Sequence, residues 1–294
     1  MNNEITTDFK LLKKVKDPNF DIDQLEHYQL SVMIGVRDLQ LMVVDTRNAR
    51  VMLMEDYLLK ESTTDEDKLH FVSQLYYDHH LLLAGFWKKI KIIFKGKKFS
   101  LIPEPLYDEE NKAALLYINA KPSILPHSIL NTRHNEQNMI NLFSVDQIWL
   151  DYFEKTYPST KLEFSHQSSV LIDGAVRMIV GESNAMMLYI DRFSMHVVVV
   201  KSGKLQFYNR FEIKKFDEYV KYFRMVAKEM NIDLKHEKVK LFGFLGRNTP
   251  HYNQLKKYIH NLHFGNRPSY INMGYVFDEI SEHQYFDLLS SFQA

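Results

Sequence analysis

Residues 185–211 read AMMLYIDRFSMHVVVVKSGKLQFYNRF, and the fold can be predicted from this segment outward. It contains three runs of apolar, β-branched and aromatic residues that predict strands, namely Met186–Ile190, Met195–Lys201 and Leu205–Phe211. Short turns separate the runs, the first at Asp191–Ser194 and the second at Ser202-Gly203. Together the runs and turns predict a three-stranded antiparallel meander.

A helix, a strand and a second helix are predicted after this meander. Asp217–Met230 carries its apolar residues on one helical face, Val239–Phe244 has the composition of a strand, and His251–His260 predicts another helix. A meander followed by helix, strand and helix is the element order of a ribonuclease H-like unit. The second half of the chain therefore predicts one such unit.

The first half of the chain has the same order of predicted elements. Its meander is predicted over three strands, namely Tyr28–Ile34, Leu39–Asp45 and Val51–Leu58. The later elements are a helix over Val145–Tyr157, a strand over Lys161–Phe164 and a helix over Ser168–Val180. An internal repeat determines the whole fold. The sequence predicts an α/β (α+β) fold of duplicated ribonuclease H-like units, the two-lobed architecture of actin, sugar kinases and heat-shock ATPases.

This repeat divides the chain into three predicted parts. Residues 1–25 are polar, lack clear periodicity and are predicted to be a lead-in. The first lobe is predicted over residues 26–182 and the second over residues 183–294, with a C-terminal helix over Glu282–Phe292.

The composition excludes several classes of function. The 294 residues include 37 Lys and Arg against 37 Asp and Glu, so the net charge of zero argues against nucleic acid as a partner. The chain has no Cys, which excludes disulfides and thiolate catalysis, and only 10 Gly, which argues against a glycine-rich phosphate-loop enzyme. No apolar run approaches the ~20 residues of a membrane span, and the polar N-terminus does not resemble a signal peptide. We expect a cytoplasmic protein.

Several motifs resemble one protein family. The segments that carry the likeness are Ala185–Phe211, Leu241–Ile259, Ser165–Gln167, Phe277–Glu279 and His283–Phe286, and within them Gly203–Phe211 and Leu241–Leu245 are particularly similar. They are similar to DUF3822, an uncharacterised family typical of Bacteroidota that looks like a degenerate branch of the actin-like ATPase superfamily. The resemblance extends over nearly the whole chain from about Tyr28 and implies a fold, not an activity.

The resemblance implies a nucleotide cleft formed by a hairpin tip from each lobe and an adenosine loop. In the first tip Gly35 and Arg37 are the candidate nucleotide contacts, but the Asp-x-Gly pattern of the superfamily is missing. In the second tip Asp191 and Ser194 are candidates, while Phe193 takes the glycine position and would block the approach of phosphate to the backbone.

The adenosine loop of the superfamily contains a pair of glycines. Here the matching stretch keeps Gly243 in the paired position, followed by Gly246. We interpret the protein as a pseudo-ATPase that needs no cofactor and acts as a non-catalytic scaffold or protein-interaction module. Similar degenerate actin-like modules serve as cytoplasmic adaptors in bacterial secretion and pilus systems. The alternative is a divergent ATP-binding protein or kinase-like enzyme, in which Arg37, Asp191 and Gly243 surround Mg·ATP.

A basic hairpin is the most conspicuous predicted surface feature. Its strands are predicted over Lys89–Phe94 and Lys98–Ile102, and the alternation places Lys89, Lys91 and Lys95 on one face. Such a stripe would suit an acidic partner, a phosphate backbone or anionic lipid headgroups. The alternative is a sheet edge that lysines protect from aggregation.

Two further chemistries find no support in the pattern. A ribonuclease H-type nuclease needs a carboxylate on its first strand to bind metal, and Tyr28–Ile34 has none. The histidine pairs His79-His80 and His260 with His263 have no third ligand in register, so no metal site is predicted.

Overall fold

The fold is described from a computed structural model that covers residues 8–62, 64–178, 184–192 and 194–292. These residues form two compact units. Unit 1 contains the chain through Ser169, the segment Tyr270–Glu279 and the last two described residues, whereas unit 2 contains Val170–Ser269 and Ile280–Ser290. The division differs from the predicted lobes because the helix that follows residue 166 belongs mostly to unit 2, and because the chain returns to unit 1 after unit 2.

Unit 1 is built from ten strands and three helices within the described ranges. Its strands are β1 (Phe9–Lys16), β2 (Tyr28–Ile34), β3 (Asp38–Asp45), β4 (Arg50–Leu59), β5 (Lys89–Phe94), β6 (Phe99–Pro103), β7 (His127–His134), β8 (Met139–Asp146) and β9 (Leu162–His166), with the short β15 (Asn272–Met273) added late in the chain. Its helices are α1 (Asp65–Asp78), α2 (Lys112–Tyr117) and α3 (Gln147–Thr156).

Unit 2 follows the same pattern in fewer elements. They are α4 (Gln167–Met178), which begins in unit 1, then β10 (Asn184–Ile190), β11 (Ser194–Lys201), β12 (Lys204–Glu212), α5 (Phe216–Glu229), β13 (Val239–Gly243), α6 (Pro250–Lys256), β14 (Leu262–Phe264) and α7 (Phe286–Ser290). The predicted C-terminal helix over Glu282–Phe292 is thus shorter in the structure.

The main sheet of unit 1 has the strand order β1-β4-β3-β2-β5-β9, with β15 beside β4. Strands β2, β3 and β4 are antiparallel, whereas β5 runs parallel to β2 and β9 runs parallel to β5. Every residue of β2 and β3 is buried, including the polar Gln29, Ser31 and Gln40, so both faces of the sheet are covered there. One face packs on α1 and α3 through large apolar side chains such as Val32, Tyr76 and Phe153.

The sheet of unit 2 repeats this order as β12-β11-β10-β13-β14. Its first three strands are antiparallel, and β13 and β14 are parallel to β10. Leu188 and Val197 pack with Phe223 of α5 and Leu255 of α6 in one core. Each unit therefore places an antiparallel meander beside two parallel strands, and the predicted duplicated ribonuclease H-like fold is confirmed.

The predicted basic hairpin is wrong. Strand β5 lies inside the main sheet, where Ile92 pairs with Val32 of β2 and with Phe164 of β9. Strand β6 instead belongs to a separate three-stranded sheet of order β6-β8-β7. The reason is burial, because Ile90, Ile92 and Ile93 are each 0% exposed and an edge hairpin would leave one of their faces in water.

The predicted lead-in also contains a strand. Residues 9–16 form β1, which pairs antiparallel with β4 at the edge of the main sheet. A buried carboxylate beside this edge has three partners: Glu55 accepts a hydrogen bond from Tyr57 Oη at 2.5 Å, lies 2.8 Å from His79 Nε2 and forms a salt bridge of 2.8 Å with Lys14 Nζ of β1. Burial alone would raise the pKa of Glu55, but these contacts lower it to about 2.

Candidate functional site

The hairpin tip of unit 1 is the turn between β2 and β3. Gly35 N donates a 2.8 Å hydrogen bond to the main-chain oxygen of Asp38, so the tip is closed by its own backbone. A Cβ on Gly35 would lie 2.0 Å from Asp38 Oδ1. Glycine is therefore required here by the neighbouring carboxylate, which is only 2% exposed. Arg37 lies 3.4 Å from the carboxylate of Glu61 and does not line the cavity described below.

The lysines of the predicted surface stripe are paired with acids of the same unit. Lys95 Nζ lies 2.7 Å from Asp38 Oδ2, and Lys91 Nζ lies 2.9 Å from Glu163 Oε1. Lys89 contacts the other oxygen of Glu163. Lys91 and Lys95 are 3% and 7% exposed, so the prediction of an exposed stripe is wrong for both, and the nucleic-acid hypothesis loses its basis.

The ion pairs with Lys89 and Lys91 also affect the pKa of Glu163. Burial opposes ionisation of Glu163, but the charge of Lys91 and the hydrogen bonds from Lys89 and Lys91 outweigh it and lower its pKa. Lys89, Lys91 and Glu163 therefore form an ion-paired cluster and not a patch of free cations.

A cavity of about 300 Å³ lies beside the unit 1 tip. Its walls come from four parts of the unit: the end of β2 with its turn, the end of β5 with the residues after it, the end of β8, and the facing helices α1 and α3. The lining residues are Ile34–Val36, Asp65, Lys68, Phe94–Lys98, Ser144–Asp146 and Trp149. Two of the predicted site residues, Gly35 and Lys95, are thus brought to one cavity.

Two carboxyl groups meet at this cavity. Asp65, the first residue of α1, and Asp146, which precedes α3, are joined by a side-chain hydrogen bond. Burial raises the pKa of Asp146 most, and the hydrogen bond with Asp65 and the charge of Asp65 raise it further, to about 6. Burial opposes ionisation of Asp65 too, but the bond to Asp146 and Lys68 Nζ at 2.6 Å lower its pKa. As the pH falls, Asp146 therefore takes up a proton before Asp65 does.

Sequence reasoning missed this pair. The two acids are far apart along the chain, and each resembles the acidic residues that are common at the start of a helix. No local pattern connects them, because it is the tertiary packing of α1 against α3 that brings them together. Among the described residues no group of three or more His, Asp or Glu side chains could hold a metal ion.

The hairpin tip of unit 2 is the turn between β10 and β11. Asp191 N donates a 2.9 Å hydrogen bond to the main-chain oxygen of Ser194, and Asp191 Oδ1 accepts one of 2.8 Å from Arg192 N. Ser194 Oγ lies 3.1 Å from His196 Nε2, whose Nδ1 lies 2.7 Å from Tyr208 Oη. The serine is 2% exposed and the histidine is fully buried. The predicted steric block by residue 193 lies outside the described residues.

Gly243 ends β13 at a close approach to β10. Its φ is +96°, and a Cβ here would lie 2.0 Å from the carbonyl oxygen of Ile190. Gly243 N donates to the main-chain oxygen of His283 at 2.8 Å, and Phe244 N donates to that of Ile190 at 2.8 Å. Strand packing alone therefore accounts for this glycine.

Gly246 has a different role. Its carbonyl oxygen accepts a 2.8 Å hydrogen bond from Thr249 Oγ1, whose residue caps the start of α6. A Cβ on Gly246 would make only an ordinary contact of 3.5 Å. Within unit 2 the structure brings Asp191, Ser194 and Gly243 to one end of β10.

The fold defines the class of protein to which the chain belongs, the proteins with an actin-like ATPase fold. It is similar to a protein of Bacteroides thetaiotaomicron VPI-5482 with this fold and unknown function, at 18% identity and a TM-score of 0.77, covering 92% of this chain and 98% of that one. It is also similar to the PilM–PilN type IV pilus biogenesis complex, at 12% identity and a TM-score of 0.61, covering 90% of this chain and 97% of that one.

The family follows from the sequence. The profile of DUF3822, a family of proteins of unknown function, matches residues 17–262, and the chain belongs to this family. No curated protein matches the chain. The described helices include none that is both long and apolar enough to cross a membrane.

Proposed function

We propose that this chain is a non-catalytic cytoplasmic scaffold or protein-interaction module, a pseudo-ATPase that has kept the actin-like fold. One observation carries the proposal: main-chain N–H groups at the candidate nucleotide contacts already donate within their own unit. Gly35 N bonds to Asp38, Asp191 N to Ser194, and Gly243 N to His283, at 2.8 to 2.9 Å.

These hydrogen bonds matter because backbone amides are the main phosphate ligands in sites of this kind. A phosphate needs several N–H groups that point outward and have no other acceptor. To reach Gly35, Asp191 or Gly243 it would have to displace a short hydrogen bond in each case, and each such bond contributes about 1 kcal/mol to stability. The arrangement thus favours loss of triphosphate binding.

The structural neighbours support an interaction role. One of them is PilM in a complex with PilN for type IV pilus biogenesis, a protein of this fold that assembles with a partner. By analogy we propose that this chain, too, binds a protein partner.

One observation favours the alternative of a divergent ATP-binding protein or kinase-like enzyme. The cavity of about 300 Å³ beside Gly35 includes Lys97 and Lys98 in its lining and is large enough for part of a ligand. The candidate nucleotide contacts of this alternative, Arg37, Asp191 and Gly243, do not line this cavity.

Calorimetric titration of the full chain with Mg·ATP and Mg·ADP tests the proposal. We expect no saturable heat with either nucleotide. A Kd tighter than about 100 μM, equivalent to roughly −5.5 kcal/mol, would contradict the proposal if it were abolished by Asp191→Ala. Asp217→Ala is the matched control, since it removes an exposed carboxylate from the same unit.

A further inference from the structure

An open groove of about 890 Å³ runs along the outer face of α5 in unit 2. One wall is the helix itself, with lining residues that recur at helical spacing from Asp217 to Lys228. The other wall is the segment 232–235 together with Tyr258. At a rise of about 1.5 Å per residue the groove follows roughly 16 Å of the helix, or three turns.

The groove combines exposed apolar side chains with a basic rim. The large apolar residues Met225 and Tyr258 are 51% and 43% exposed. A partner that covers them would gain stability from burying their apolar surface. Four cations line the groove, namely Lys221, Arg224, Lys228 and Lys235. None of the four forms a salt bridge with any residue of the described part of the chain, in contrast to Lys91 and Lys95 of unit 1.

The two acids of the groove leave its charge positive. Asp233 Oδ1 accepts one hydrogen bond from Lys235 N, and Asp233 Oδ2 lies 2.7 Å from His236 Nδ1. Asp217 lies in the first turn of α5, where a negative charge complements the helix dipole. The exposed acids therefore do not neutralise the rim, and a partner that carries carboxylates would be attracted to it.

The walls also determine the conformation of the partner. The main chain of α5 uses its N–H groups and carbonyls within the helix, so the groove offers side chains and no free strand edge. An extended peptide would leave its own backbone groups without partners, whereas a helix satisfies them internally. The groove therefore suits a short amphipathic helix.

We propose that the α5 groove docks an acidic amphipathic helix of a partner protein. Apolar residues spaced i, i+3 and i+4 on that helix cover Met225 and Tyr258, and glutamates or aspartates beside them face Lys221 and Arg224. This inference rests on the proposed function, because it names the surface and the partner chemistry of the interaction module.

Selection from a displayed library of helical peptides tests the proposal. The library fixes leucines at i, i+3, i+4 and i+7, varies the flanking positions among Glu, Lys, Gln and Ser, and is selected against the immobilised full chain. We expect the selected flanks to be enriched in Glu. Enrichment of Lys or of no charge would overturn the proposal.

Variants then locate the binding site. Fluorescence anisotropy with a selected peptide is expected to show a Kd at least tenfold weaker for the double variant Lys221→Glu and Arg224→Glu. Met225→Glu should weaken binding similarly, since that side chain is half exposed and its replacement spares the core. The charge-matched control is Lys121→Glu with Lys155→Glu, which alters two exposed lysines of unit 1 and should leave the Kd unchanged.

Three outcomes would count against the groove. In the first, the selection enriches no sequence. In the second, a selected peptide binds the natural chain and the groove variants with equal affinity. In the third, no peptide binds, but the chain binds phosphatidylserine vesicles and this binding depends on Lys221 and Arg224. Circular dichroism and thermal unfolding of each variant show whether it is folded. The nucleotide titration tests the proposed function separately. If the selection fails and the chain also binds no ATP, the proposal of a docking groove is refuted while the proposed function stands.

Discussion

The two units have the same order of five core strands, yet the ends of their central strands differ. In unit 1 β5 ends at Phe94 opposite Ile34, and in unit 2 β13 ends at Gly243 opposite Ile190. Both ends carry the same main-chain bond, from Lys95 N to the Ile34 oxygen at 2.9 Å and from Phe244 N to the Ile190 oxygen at 2.8 Å. They differ in that Phe94 lines a cavity, whereas Gly243 has a positive φ and no room for a Cβ beside the Ile190 carbonyl.

The units also differ in how buried polar groups are satisfied at these ends. Unit 1 uses ion pairs, of which Asp38 with Lys95 is the most buried. In unit 2 the corresponding end uses hydrogen bonds that run from Ser194 through His196 to Tyr208. Unit 1 should therefore respond strongly to changes of charge and pH, and unit 2 to changes of side-chain volume.

The largest effect is expected from Gly243→Ala. The new Cβ would lie 2.0 Å from the Ile190 carbonyl oxygen in a backbone conformation with positive φ, and we expect a loss of about 4 kcal/mol in the free energy of unfolding. Urea unfolding followed by circular dichroism measures it. Gly246→Ala is the matched control and should change stability by less than about 1 kcal/mol, because its Cβ makes an ordinary contact. Equal effects of the two substitutions would contradict the steric account of Gly243.

A somewhat smaller loss is expected from Lys95→Met in unit 1. The substitution removes the ammonium group that Asp38 holds at 2.7 Å while its carboxylate stays buried, which should cost about 3 kcal/mol. The double variant Lys95→Met with Asp38→Asn carries no charge at this site, so it should recover part of the loss. A double variant less stable than the single one, by chemical denaturation at pH 7, would show that the charge is not the cause.

Glu55→Gln tests the charged edge of the same sheet. The pKa of Glu55 is lowered to about 2, below its ordinary value of 4.5, so the ionised group stabilises the fold above pH 4.5 and this contribution is lost as the pH falls toward 2. We expect a loss of about 2 kcal/mol at pH 7 and a flatter acid limb in thermal unfolding from pH 2 to 7. If the thermal stability of the variant and of the natural chain falls in parallel as the pH is lowered, Glu55 is not the source of the acid dependence.

The smallest effect, and one of opposite sign, is expected from Asp146→Asn. The raised pKa of Asp146 means that the folded chain holds a proton that the unfolded chain releases, so stability falls as the pH rises from about 4 through about 6. An amide can still donate to Asp65 but does not titrate. The variant should be more stable than the natural chain at pH 7, by about 1 kcal/mol after screening by solvent. A fall in stability between pH 4 and 6 that persists in the variant would exclude Asp146 as its source.

The sequence predicted the elements that local patterns encode. Both meanders are runs of β-branched and aromatic residues divided by short turns, and the runs at Tyr28–Ile34 and Met195–Lys201 form strands there. The strand β1 escaped prediction because it lies at the edge of the sheet, where Leu11 and Leu12 remain about 45% exposed and lysines interrupt the alternation. Its strand character depends on β4, which sequence periodicity does not show.

Long-range pairing explains the remaining misses. Lys95-Gly96 resembles a hairpin turn, yet β5 pairs with strands that lie far from it in sequence. The turn at Gly35 follows from the sequence, but the position of the Asp38 carboxylate beside it depends on Lys95, which follows β5. The pair of Asp65 and Asp146 depends on the packing of two helices. In each case the deciding partner is distant in the chain.

Unit 1 is discontinuous, and this affects how the chain folds during synthesis. Its segment Tyr270–Glu279 supplies β15 beside β4 and places Glu279 at 2.9 Å from Lys13 Nζ. About 100 residues of unit 2 are translated between Ser169 and this segment, which at 5–20 residues per second takes roughly 5 to 20 seconds. Until then the nascent first unit lacks its last strand, so a ribosome stalled within unit 2 would display a unit 1 with an uncapped strand end, open to chaperones and proteases.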